Sequence, residues 1–128
     1  MTEFTMYELN GVAVLVARGR MIMGAGTSAV RDTVAYLIKH KRKQIVFDLK
    51  EVTYMDSCVL GELVSAQETI EKSGGEIKLV NSPRVKDILI ISRLHGVFEV
   101  FDDAHAAAHS FGNIWPKYLW KQREQAPV

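Results

Sequence analysis

Residues 44–67, QIVFDLKEVTYMDSCVLGELVSAQ, decide the reading of the fold. Ile45-Val46-Phe47 is a short apolar run that reaches a carboxylate at Asp48. A polar bend follows, then Val52-Thr53-Tyr54-Met55, then Asp56-Ser57. From there the spacing turns helical: Val59, Leu63, Ala66 and Ile70 share one stripe, with Leu60 and Val64 beside it. The pattern predicts a buried strand, a turn, and a helix opening at a hydroxyl. Ser57 reads either as a plain helix cap or as a residue whose phosphate the helix start would accept.

Outward on the N-terminal side, Phe4 to Leu9 and Val12 to Arg18 are β-prone runs around Asn10-Gly11, a two-residue hairpin signal. Val12, Val14 and Val16 alternate with small residues at 13 and 17, and Leu15 is also apolar, so the second strand is expected to be covered on both faces. Met21 to Gly26 reads as a loop with exposed methionines. Thr27 or Ser28 would cap a helix to about His40, with Val30, Val34, Leu37 and Ile38 inward. The basic run 39–43 suits that helix's C-terminus, where cations meet the negative end of the dipole.

On the C-terminal side, Ser73-Gly74-Gly75 stops the second helix and Glu76 to Val80 is a strand. Asn81-Ser82-Pro83 opens a third helix, Val97 to Phe101 is a last short strand, and Asp102-Asp103 caps an alanine-rich fourth helix from Ala104 to Phe111. If each new strand adds beside the last in the same direction, the order ββαβαβαβα with right-handed crossovers places the crossover helices on one side of a five-stranded mixed sheet. The opposite side is expected to be more open, which suits a domain that works by contact.

Composition narrows the function classes. A chain of 128 residues makes one domain with a core of its own. Sixteen basic against fifteen acidic residues leave a net charge of +1, which favours neither nucleic acid nor membrane. One cysteine excludes an internal disulfide and any cysteine-based zinc site, and no other ligand cluster calls for a metal or cofactor. No apolar run nears the ~20 residues that span a bilayer. The first residues lack a secretory pattern, so a cytoplasmic location is expected.

Val46-Phe47-Asp48-Leu49, the bend, and Tyr54 through Gly61 resemble the signature of the STAS family, in particular its anti-sigma factor antagonist branch. Gly74-Gly75-Glu76, Pro83-Arg84-Val85, Leu94 through Glu99 and Phe101-Asp102 fit the same family in the same order. The resemblance implies an α/β fold with a five-stranded mixed β-sheet, an N-terminal hairpin plus parallel strands, and about four helices mainly on one face. It implies a domain over residues 1–112, leaving 113–128 as a C-terminal aromatic and basic extension. Ile114, Trp115, Tyr118, Leu119 and Trp120 stand there among Lys117, Lys121 and Arg123, read as an extra packed helix or a contact for a partner.

The resemblance also implies a switch. Antagonists of this kind are phosphorylated on the hydroxyl residue directly after the motif aspartate, here Ser57 after Asp56. The unmodified protein binds an anti-sigma factor that doubles as the serine kinase and so frees the sigma factor; a phosphatase resets the cycle. Asp48 matches the acidic residue ending the preceding strand, and Leu60 and Gly61 continue the pattern. Two positions depart from it: Cys58 stands where serine, threonine or alanine is common, and Val59 where glycine is. A valine there leaves less room for a partner backbone. The alternatives are a non-switching STAS scaffold in a signalling or transporter complex, and a thiol-dependent enzyme using Cys58. A homodimer is a further expectation. The four histidines lie far from the motif in sequence, and no spacing supplies a catalytic base.

Overall fold

The computed structural model describes residues 2–82 and 96–111. The expected third helix falls largely on residues 83–95 and the aromatic extension on 113–128, both outside the described residues. The elements are β1 (Thr2–Leu9), β2 (Val12–Met21), α1 (Ala25–Lys39), β3 (Gln44–Met55), α2 (Ser57–Lys72), β4 (Glu76–Val80), β5 (Val100–Phe101) and α3 (Ala104–His109). The strands form one mixed sheet in the order β1-β2-β3-β4-β5. The first pair is antiparallel and the others are parallel.

The hairpin turns on Asn10 and Gly11 with φ of 53° and 80°, both left-handed, which matches the twist of the flanking strands. β2 is buried on both faces from Val12 to Ala17. Ala13, Leu15 and Ala17, with Ile45, Phe47, Leu49, Ile77 and Leu79, pack under α1 and α2. Val30, Val34 and Leu37 of α1 and Val59, Leu63, Ala66 and Ile70 of α2 complete that core, as their spacing requires.

The other face is not left open throughout. Val12, Val14, Val16, Val46 and Val80 pack against Ala104, Ala107 and Ala108 of α3, whose small side chains let a six-residue helix sit close to the sheet. Asp103 caps that helix by accepting from the Ala106 N–H at 2.7 Å, in line with its reading as a cap. Lys78, almost fully buried on this face, reaches Ser110 Oγ at 2.7 Å and Glu99 at 3.3 Å, with its ammonium over the Phe111 ring. Its charge is thus paired and hydrogen-bonded, the condition for burying one.

The bend expected between Asp48 and Val52 is instead a bulge in a continuous β3. Two β2 steps, Val16 to Arg18, oppose three on β3, Asp48 to Glu51, and a second slip follows between Val52 and Tyr54. The Asp48 carboxylate accepts from the Lys50 N–H at 3.0 Å and supports the first irregularity. Gln67, buried on α2, donates to the Ile77 carbonyl and accepts from its N–H, and also donates to the Val97 carbonyl, fixing the helix to the edge of β4.

Candidate functional site

The C-terminal ends of β2 and β3 meet the N-terminal ends of α1 and α2 in one corner of the domain, and Asp56 organises it. Its backbone is extended (φ −90°, ψ 171°) and its side chain is the N-cap of α2: Oδ1 accepts from the Val59 N–H at 3.0 Å. The other oxygen, Oδ2, accepts from the Met23 N–H at 2.8 Å, and the Asp56 N–H donates to the Met21 carbonyl at 3.1 Å. One residue therefore closes the helix start and ties it to the loop leaving β2. The Met23 N–H, followed by those of Val59 and Cys58, holds the Asp56 carboxyl below the usual aspartate range, against a weaker opposing effect of burial.

Ser57 is consequently not the cap, contrary to one reading of the sequence. It occupies the first position of α2 and is exposed, and its hydroxyl makes no hydrogen bond among the described residues. The cap reading failed because aspartate and serine are both strong cap formers, and only the backbone path chose Asp56. A hydroxyl at the first helical position stands beside N–H groups of the first turn, where an added phosphate gains from the dipole.

Cys58, next along, is exposed, with its Sγ 3.7 Å from Met23 Sδ. Met23 is 68% exposed and Ile22 39%, so an apolar rim adjoins Ser57. Nearby on β3, Tyr54 is half-exposed and carries the Arg20 guanidinium 5.2 Å above its ring. The sequence marked the methionines of this loop as exposed; that holds for Met23, while Met21 ends β2 fully buried. Nothing local in the sequence tied Met23 to Asp56, since the two are joined by a parallel crossover.

The remaining motif positions scatter. Val59 is fully buried and turns inward onto α1, so it does not narrow the outer surface as expected. Gly61 is exposed on α2, with open space where a Cβ would stand. Asp48 lies on β3 seven residues before Met55, roughly 20 Å away along an extended strand, and belongs to the bulge instead of the Ser57 corner. The first helix begins earlier than expected: Gly24, with φ 96°, is the N-cap before Ala25, and Thr27, three residues on, supports the cap by accepting from the Gly24 N–H through its hydroxyl. Arg31 and Glu62, 2.7 Å apart, bridge α1 and α2 beyond this corner. Among the described residues no group of acidic, histidine or cysteine side chains is gathered as a metal site. No described helix is long and apolar enough to cross a membrane.

The architecture and motif can be set beside known proteins. A STAS-domain containing protein of Pseudomonas aeruginosa strain UCBPP-PA14 is 33% identical over 84 residues, spanning 65% of this chain and 81% of that protein. An anti-sigma factor antagonist from Mycobacterium paratuberculosis shares the fold with a TM-score of 0.76 at 19% identity, over 86% of this chain and 93% of that one. The Bacillus cell fate determinant SpoIIAA in its phosphorylated form aligns with a TM-score of 0.63 at 18% identity, over 81% of this chain and 96% of the other. The STAS domain family model matches residues 3–107, and the chain belongs to the STAS domain family.

Proposed function

We propose that this chain is a non-enzymatic anti-sigma factor antagonist of the cytoplasm, switched by phosphorylation of Ser57. The observation that carries the reading is the exposed, unbonded Ser57 hydroxyl at the first position of α2, held beside the carboxylate of Asp56. The fold shared with an anti-sigma factor antagonist and with phosphorylated SpoIIAA supports it. In the unmodified state the rim of Met23, Cys58 and Ser57 is a neutral, largely apolar contact for an anti-sigma factor that is also the serine kinase.

Phosphorylation adds about −1.5 to −2 charges next to a carboxylate already held ionised. The first turn of α2 accepts that phosphate without unfolding. The contact surface does not, because a partner would have to desolvate two neighbouring anions. A loss of ~3 kcal/mol there is about a hundredfold in affinity. A phosphatase restores the neutral surface, and no direct contact with nucleic acid is involved. Among the described residues Cys58 has a thioether beside it in place of a base, which lends the thiol-enzyme reading no support there.

The test is incubation of the chain with its candidate kinase and ATP, followed by intact-mass measurement and peptide mapping. One phosphate, located on Ser57, is the expected result. An unmodified chain under every candidate kinase overturns the switch and leaves the fixed STAS scaffold.

A further inference from the structure

We propose that two copies of this chain pair through the free edge of β1, antiparallel and about a two-fold axis at Met6. The sheet has two edges among the described residues. β5 offers only two residues, whereas β1 offers eight, paired to β2 without a break from Thr2 to Leu9. Soluble proteins blunt such an edge with proline, lysine, a bulge or brevity. The β1 sequence TEFTMYEL has no proline or lysine and its register against β2 has no bulge; its charges, Glu3 and Glu8, stand near the two ends and leave Phe4 to Tyr7 uncharged.

Apolar surface flanks the edge on both sides. Between β1 and α1 runs a groove of about 300 Å³ whose lining includes Phe4, Met6, Leu15, Asp32, Thr33 and Tyr36. Met6 is 47% and Tyr36 51% exposed there, and Tyr7 is 43% exposed on the other face.

The backbone dictates the register. With a two-residue turn at Asn10-Gly11, Leu9 and Val12 close the hairpin as a hydrogen-bonded pair, so residues 3, 5, 7 and 9 bond to β2. Phe4, Met6 and Glu8 direct their backbone groups outward, and a second strand must bond to these. Placing Met6 opposite Met6 of the second copy matches every residue from Glu3 to Leu9. Phe4 then faces Glu8, Thr5 faces Tyr7, and Glu3 faces Leu9, with no like charges opposed.

Charge favours a copy of this chain over a basic peptide. Glu8, which would meet Phe4 of the second copy, is already neutralised by Arg42, while Arg18 opposite Glu3 is engaged by Glu51 and Thr5 and leaves Glu3 at the outer end of the pairing, against Leu9. This interface is separate from the Ser57 corner and does not depend on the switch.

Sedimentation of the full chain over a concentration series is expected to show a reversible monomer–dimer equilibrium. Met6→Lys and Met6→Glu should each be monomeric with an unchanged circular dichroism spectrum, and mixing them should restore a heterodimer. In a Cys58→Ser background, Met6→Cys should form an intermolecular disulfide with oxidised glutathione, which is reduced to two thiols as the bond forms. Residues in a hydrogen-bonded pair lie about 5.5 Å apart at Cα, within disulfide range. Thr5→Cys, which faces Tyr7 of the second copy, should not link. A chain monomeric at every concentration, a dimer that survives both Met6 charges, or equal linking of Thr5→Cys overturns the proposal.

Discussion

Gly26 of α1 and Val59 of α2 meet face to face: a Cβ at residue 26 would lie 3.1 Å from Val59 Cγ2 and 3.2 Å from the Met21 carbonyl carbon. The valine that departs from the family pattern is therefore accommodated inside, by a glycine 33 residues earlier in the chain. The two helix N-termini are brought together by this fit, and Asp56 then bridges to the Met23 loop over it.

Gly26→Ala should destabilise the domain by ~1–3 kcal/mol, because the added methyl overpacks a fully buried contact. Combining it with Val59→Ala should cost less than the sum of the two single changes, since the second removes the methyl groups that clash. Urea denaturation of the four proteins measures the coupling. Strict additivity would mean that the helices absorb the methyl elsewhere.

Asp56 ties pH to the same corner. Its folded carboxyl is held below the usual range by the Met23, Val59 and Cys58 N–H groups, so the unfolded chain binds the proton more readily. The contribution is present above the unfolded pKa near 4 and is lost as pH falls through the lowered folded value. Thermal melts from pH 7 downwards should show acid destabilisation in that window, and Asp56→Asn should flatten this part of the profile. Amide exchange at Met23 should accelerate in the variant even at neutral pH.

On the proposed switch, Ser57 separates stability from signalling. As its hydroxyl caps nothing, Ser57→Ala should change stability by less than ~0.5 kcal/mol, the range of an exposed substitution. It should keep affinity for the proposed anti-sigma partner, whereas Ser57→Asp should weaken it by placing a second carboxylate beside Asp56. Calorimetric titration of both variants decides the matter; equal affinities would remove the charge mechanism.

At Gly75 two chain segments run close together. A Cβ there would come within 2.3 Å of the Lys43 carbonyl oxygen and 2.9 Å of its Cα, in the turn that leads both chains into paired strands. The obstacle is backbone, so it does not rotate away. Gly75→Ala should lower stability by about 2–4 kcal/mol, among the larger single-residue effects, with a matching drop in the denaturant midpoint.

Much of this was legible in the chain's own order of residues. Alternation in β2, the Asn10-Gly11 turn and the stripes of α1 and α2 depend on local periodicity, and each element appeared within a few residues of its expected place. The motif pointed to the corner that contains Ser57. What it lacked was the identity of the cap and the direction of each side chain. Asp56 and Ser57 have similar cap propensity, and Asp48 and Ser57 share a motif although an extended strand holds them far apart.

By itself, then, the sequence determined the α/β class, the order of elements along the chain and the position of the candidate serine, because hydrophobic period and turn chemistry are properties of neighbouring residues. Tertiary structure alone decided that Val59 points into Gly26, that Met23 is clasped by Asp56, and that α3 covers part of the second face. Those relationships join residues brought together only when parallel crossovers close. Their distances come from packing the whole core, and no local pattern encodes them.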